Sequence, residues 1–195
     1  MKKILLAGKT FLAAGLIILS LNSCKKETKQ EDPKEVAEDA NEQKFDTIND
    51  KEDDSEFLVD QAEINLSEIE LGKLAQQKGT NPEVKKYGKM LVDEHTKAAS
   101  EVSALAKAKN FTLPTSVTED GKEEYNKLNE KSGADFDKKF ADMMIDGHEK
   151  AIDKLKKAAD KATDQDVKLW ASNNIPGLTA HLEHAKMLKQ TLDKK

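Results

Sequence analysis

The chain has no arginine and a single cysteine, Cys24. All of its positive charge is carried by lysine and four histidines. Arginine supplies the planar fork that grips phosphate and guanine bidentately. A chain without it, at a formal net charge of −5, is a poor nucleic-acid binder. One cysteine excludes an internal disulfide, so packing must hold whatever folds. Aromatic residues are 5% of the chain, β-branched residues are sparse and no run alternates apolar with polar, which excludes a sheet. After Leu19 no apolar run is long enough to span a bilayer. Also missing are a nucleophile elbow, a phosphate-binding glycine loop, Cys-x-x-Cys and His-Glu-x-x-His, so the chemistries built on them are not indicated.

What is present starts at the N-terminus. Lys2 and Lys3 precede an apolar run from Phe11 to Leu19, then Leu21-Asn22-Ser23-Cys24. A charged start, an apolar middle and a small residue before the cut make a signal peptide. A cysteine directly after that small residue makes it a lipobox. The expectation is a lipoprotein signal peptide over residues 1–23, with Cys24 as the lipidated N-terminus. The alternative is a plain signal peptide or an anchor helix with an incidental cysteine. Lipidation places the protein in a bacterial cell envelope, its domain in the periplasm or at the cell surface, with the membrane as partner through the lipid alone. Losing Lys2, Lys3 and Lys9 with the signal takes the charge from −5 to −8.

Residues 25–54 carry twelve acidic and six basic residues and little that is apolar. That composition predicts, with Cys24, a disordered acidic tether over residues 24–54. A helical domain is expected over residues 55–195. Helix 1 covers about 55–78 and is closed by Gly79. Asn81-Pro82 opens helix 2, which runs to about residue 109. A loop with Pro114 precedes a short helix near residues 122–131. Helix 3 is expected over 134–161, and helix 4, capped at Thr163-Asp164, runs to about residue 192 with Pro176 as a kink. The fold class is therefore all-α: an up-down four-helix bundle with a short extra helix between helices 2 and 3.

Three of the four histidines fall on apolar stripes at helical spacing. His95 lies with Leu91 and Val102, His148 with Met144 and Ile152, and His181 with Leu178 and Ala185. Glu68 falls on a helix 1 stripe between Ile64 and Leu71. At 1.5 Å of rise per residue these four meet in one layer or two adjacent ones. A buried imidazole needs a hydrogen-bond partner or a metal, and a buried carboxylate needs pairing. Two readings follow: a structural polar network, or a metal site of Glu68, His95, His148 and His181 holding Zn, Fe, Mn or Cu. His184, three residues after His181, and the border residues Glu63 and Glu70 are second-choice ligands. The Glu-x-x-His pairs of di-iron bundles are absent: Val92 and Ile145 precede His95 and His148 by three, and His181 precedes His184. No catalytic residue is assigned; the expectation leans to a protein that is not an enzyme. The methionines read as core filling.

Four segments resemble the bacterial envelope family named domain of unknown function 4142: Phe57-Leu58-Val59-Asp60-Gln61-Ala62, Glu68-Ile69-Glu70-Leu71-Gly72-Lys73-Leu74-Ala75, Val84-Lys85-Lys86-Tyr87-Gly88 and Met90-Leu91-Val92-Asp93-Glu94-His95-Thr96. The match continues through His148 and His181-Leu182 and covers most of residues 55–192. The resemblance implies a ferritin-like helical bundle in an exported protein. It carries no established reaction, and Glu68, His95, His148 and His181 stand at the family's polar positions. Three roles stay open: an envelope lipoprotein that binds a core metal, a structural or interaction module, and a metal-dependent enzyme of unknown substrate.

Overall fold

The computed structural model describes residues 31–45 and 49–194; the expected signal segment 1–23 and Cys24 lie outside them. The described residues form six helices and no strand: α1 Pro33–Phe45, α2 Asn49–Lys78, α3 Pro82–Lys109, α4 Glu119–Asn129, α5 Gly133–Lys161 and α6 Gln165–Asp193. None of these helices is long and apolar enough to cross a membrane.

Residues 33–45 correct the expected tether over their length. Asp32 Oδ1 accepts the Lys34 amide at 2.7 Å and starts α1, with Pro33 at the first helical position. Ala37, Asn41 and Phe45 are buried at intervals of four, one helical face. Asn41 exchanges hydrogen bonds with the Thr112 backbone at 2.9 and 2.7 Å, and Phe45 stands edge-on to Phe111 at 5.3 Å. Lys34 pairs with Asp60 at 2.6 Å and Glu63 at 3.0 Å. Three buried residues, one of them polar, hold a helix whose average composition is that of a solvated linker.

The other boundaries shift for local reasons. α2 starts at Asn49 rather than near residue 55. α4 starts three residues early because Thr118 caps it, its Oγ1 accepting the Gly121 amide at 3.2 Å. Asn110, at φ 62°, is the left-handed residue that ends α3. Gly79 does not end α2 in that way, since its φ is not positive; it is glycine because a Cβ would come within 2.6 Å of the Ala75 carbonyl. α6 runs through Pro176 without a break.

α2 packs along α3 and α5 along α6, making two hairpins joined by α2–α5 and α3–α6 contacts into a helical bundle. The hairpins repeat. Lys78-Gly79-Thr80-Asn81-Pro82-Glu83-Val84 at the first turn aligns with Lys161-Ala162-Thr163-Asp164-Gln165-Asp166-Val167 at the second, 83 positions on, with Lys, Thr and Val identical and Asn81/Asp164 and Glu83/Asp166 alike (80 to 163, 84 to 167). Asp137, at the start of α5, accepts the Thr80 amide at 3.0 Å, the Thr80 hydroxyl and the Asn81 amide at 2.8 Å. Its counterpart Asp54, at the start of α2, accepts the Thr163 amide at 3.2 Å, the Thr163 hydroxyl at 2.8 Å and the Asp164 amide at 2.7 Å. Each hairpin thus caps the other's turn through a buried aspartate. Between the ends, Gly72 and Gly88 bring α2 and α3 so close that a Cβ on either would lie 2.7 Å from the other's carbonyl oxygen.

The core falls into apolar clusters toward the two ends. One holds Leu71, Leu74, Tyr87, Leu91, Phe140 and Met144; toward the other end lie Leu58, Val102, Leu155, Val167 and Ala171. A polar layer separates them.

Candidate metal centre

That layer consists of buried Gln61, Asn65 and Glu68 on α2, His95 on α3, His148 on α5 and half-buried His181 on α6. The three imidazoles face one another, with ring centroids 5.8 Å apart for His95–His148, 5.9 Å for His95–His181 and 5.5 Å for His148–His181. One nitrogen from each lies within 4.8 Å of the others. The structure therefore gathers all four primary candidates into one layer and three of them, the histidines, into one group of facing nitrogens.

Two of the rings are oriented from behind. His95 Nδ1 is 2.9 Å from Asn65 Oδ1. His148 Nδ1 is 2.8 Å from the Met144 carbonyl, one turn back on its own helix. Both partners are acceptors, so Nδ1 carries the proton and Nε2 the lone pair. His95 Nε2, His148 Nε2 and His181 Nδ1 are buried and have no hydrogen-bond partner. Tyr87 supports the third ring by donating its hydroxyl to the His181 carbonyl at 3.0 Å.

Burial sets the charge of the cluster. It pushes His95 down to about 3, helped by His148 and His181, and His148 down to about 4, helped by His181. His181 is lowered by the same cause. Near neutral pH the trio is uncharged, the state in which imidazole ligates.

Glu68 is not in the ligand group, a correction to the expected set. Its Oε1 lies 3.9 Å from His148 Nδ1, on the far side of the ring from the lone pair, and Oε2 has no partner. Desolvation, with Glu124 nearby, pushes Glu68 up to about 8. The second choices are engaged elsewhere as well. His184 stands edge-on to Tyr87 at 4.8 Å. Glu63 accepts the Thr118 hydroxyl at 2.8 Å and pairs with Lys34. Glu70 pairs with Lys73 at 2.7 Å at the surface. Sequence reading missed Asn65 and Tyr87. Asn65 had a signal: Gln61, Asn65 and Glu68, spaced four and three apart, form a polar line on a buried face.

A helical bundle with a polar layer of three facing histidines between apolar clusters is the class that fold and site define. The family described as "Domain of unknown function (DUF4142)" matches residues 34–188, and the chain belongs to that family. The matched region begins inside α1, in keeping with that helix being part of the domain. No curated protein and no solved structure matches the chain.

Proposed function

We propose that this protein is a bacterial envelope lipoprotein whose helical domain binds one transition metal ion through His95, His148 and His181. In this reading α2, α3, α5 and α6 form a ferritin-like four-helix bundle, with α1 and α4 as additions, and Cys24 carries the lipid. The observation that carries the metal reading is the set of three buried, unpartnered nitrogens, two of them on rings, His95 and His148, whose tautomers are already fixed. A purely structural network would spend those nitrogens on hydrogen bonds, because buried polar atoms without partners are costly. A ligand whose other nitrogen is held by an acceptor is the usual arrangement behind a metal.

The donor set narrows the metal. Three neutral imidazoles suit Zn, Cu, Fe or Ni; manganese prefers oxygen donors, and Glu68 stands outside the group. Three protein ligands leave a fourth position open, as catalytic zinc sites do and closed structural sites do not. This openness supports the enzyme alternative without naming a substrate.

The test is titration of chelator-treated protein with zinc, cobalt or copper. One ion per chain is expected, with a rise in melting temperature; at a free concentration of roughly 100 Kd the gain is about 2.7 kcal/mol. His95→Ala, His148→Ala and His181→Ala should each abolish it, while His184→Ala should retain it. Wild-type protein that binds none of these ions, or binds them equally well in the three variants, overturns the reading.

A further inference from the structure

From Leu169 to Leu182, α6 runs fourteen residues without an acid or a lysine, the longest uncharged run beyond Cys24 in a chain that is 35% charged. One outward stripe of this helix holds Leu169, Asn173, Pro176, Ala180, Glu183 and Met187, all exposed. Leu169 and Met187, at its two ends, are 59% and 58% exposed. The neighbouring helix α5 shows how this molecule otherwise meets water: every exposed residue from Lys138 to Asp160 is charged. On the α6 stripe only Glu183 is.

Packing within the chain does not account for the stripe. Pro176 has no N–H to give the Ser172 carbonyl, and glycine weakens a helix interior. A Cβ on the adjacent Gly177 would meet no atom within 4 Å among the described residues, so nothing inside the fold requires glycine there. The six stripe residues are spaced four, three, four, three and four apart, which is the seam spacing of a paired helix. At 1.5 Å per residue the seam is about 27 Å long.

That spacing reads the same from either end, with Leu178 at its centre. A second copy laid antiparallel therefore sets Leu169 on Met187, Asn173 on Glu183 and Pro176 on Ala180. A parallel copy would set Glu183 on its own equivalent, a like-charge contact; the antiparallel one lets the Asn173 amide donate to it. Two copies of a chain at −5 repel as wholes, and least where uncharged faces meet. That favours a second copy over a charged partner on this face.

We propose that α6 is a self-association face, two copies of the protein pairing antiparallel along Leu169–Met187 about a two-fold axis level with Leu178. This pairing needs neither the metal nor the lipid. One helix face is a small interface, under about 1,200 Å² in total, so the dimer is reversible and has to be trapped.

The test is cross-linking of the full chain with a short bismaleimide, against the parent protein, whose only cysteine is Cys24. Ala180→Cys lies beside its own copy and should give covalent dimer above the parent. Leu169→Cys alone should not, because nine residues from the axis put the two thiols about 27 Å apart. Met187→Cys alone should not either, yet the two variants mixed should link to each other. Ala180→Glu in both members of that mixture sets like charges beside the axis and should cut the yield roughly tenfold. All three positions are exposed, so helical circular dichroism should be unchanged. Four results would each overturn the proposal: no dimer from Ala180→Cys above the parent, Leu169→Cys linking to itself as well as to Met187→Cys, linkage of Ala180→Cys to another protein instead of its own copy, or a yield that Ala180→Glu leaves unchanged.

Discussion

At the scale of single residues, the histidine layer trades stability for chemistry, and pH exposes the trade. In metal-free protein His95 and His148 are held at about 3 and 4, against 6.5 for an ordinary imidazole. Their folded values are depressed, so the unfolded chain binds more protons between those limits. Their contribution is intact above pH 6.5 and is lost as pH falls toward 4. Glu68 is raised, from 4.5 to about 8, so the opposite sign applies. Its contribution is intact below 4.5 and is lost as pH rises through 8. Stability of the chelated protein should therefore pass through a maximum near pH 6.5. Urea unfolding across this range should show it, and Glu68→Gln should flatten the alkaline limb and steepen the acid limb between pH 4.5 and 6.5. A monotonic profile in the wild type would contradict the buried placement of these groups. These histidines were legible in the sequence because helical spacing put each among apolar neighbours. Their partners were less so: Asn65 is an ordinary helix residue until His95 is placed 2.9 Å away, and the Met144 carbonyl is backbone.

At the scale of elements, the two hairpins lock each other through Asp54 and Asp137, which are 3% and 2% exposed. Each accepts two turn amides and a threonine hydroxyl, so Asp54→Ala or Asp137→Ala leaves donors without an acceptor. Each should cost about 1–3 kcal/mol. The two caps lie at opposite ends of α2, 24 residues apart (54 to 78), or about 36 Å. At that separation their costs should add within a few tenths of a kcal/mol. Denaturant midpoints of the two single variants and the double variant decide this; a loss under about 0.5 kcal/mol in both would show that water replaces the carboxylates. The long helices were legible from periodicity and from the Asn81-Pro82 and Thr163-Asp164 signals. The 83-residue repeat was not, because its visible identities cluster at two turns while the cores between have diverged. Asn65 of one hairpin corresponds to His148 of the other (65 to 148): one orients a ring, the other is a ring of the cluster. α1 was illegible for a different reason. Helix signals come from apolar content, and α1 is held by Asn41, Phe45 and the Lys34 ion pairs, whose partners lie far along the chain.

At the scale of the whole molecule, assigning residues 33–45 to the domain changes the proposed lipoprotein. A spacer of thirty residues becomes one of eight, residues 25–32, between Cys24 and α1. Fully extended, such a segment reaches at most about 3.3–3.6 Å per residue, under roughly 30 Å in all. A lipid on Cys24 would then hold the domain within reach of the membrane surface rather than let it range far from it. The proposal attaches the protein through Cys24; no helix among the described residues is long and apolar enough to cross a bilayer. Cys24→Ala should therefore move the protein from the membrane fraction to the soluble fraction, or leave it as uncleaved precursor, with no acyl mass at its N-terminus. The melting temperature of the domain should not change, because the core residues among the described residues all lie beyond Cys24. Mass spectrometry of the N-terminal peptide with fractionation of the same cells reads both outcomes. An unaltered membrane fraction together with an unaltered N-terminus would rule out the lipid anchor and leave the helical domain to be explained without one.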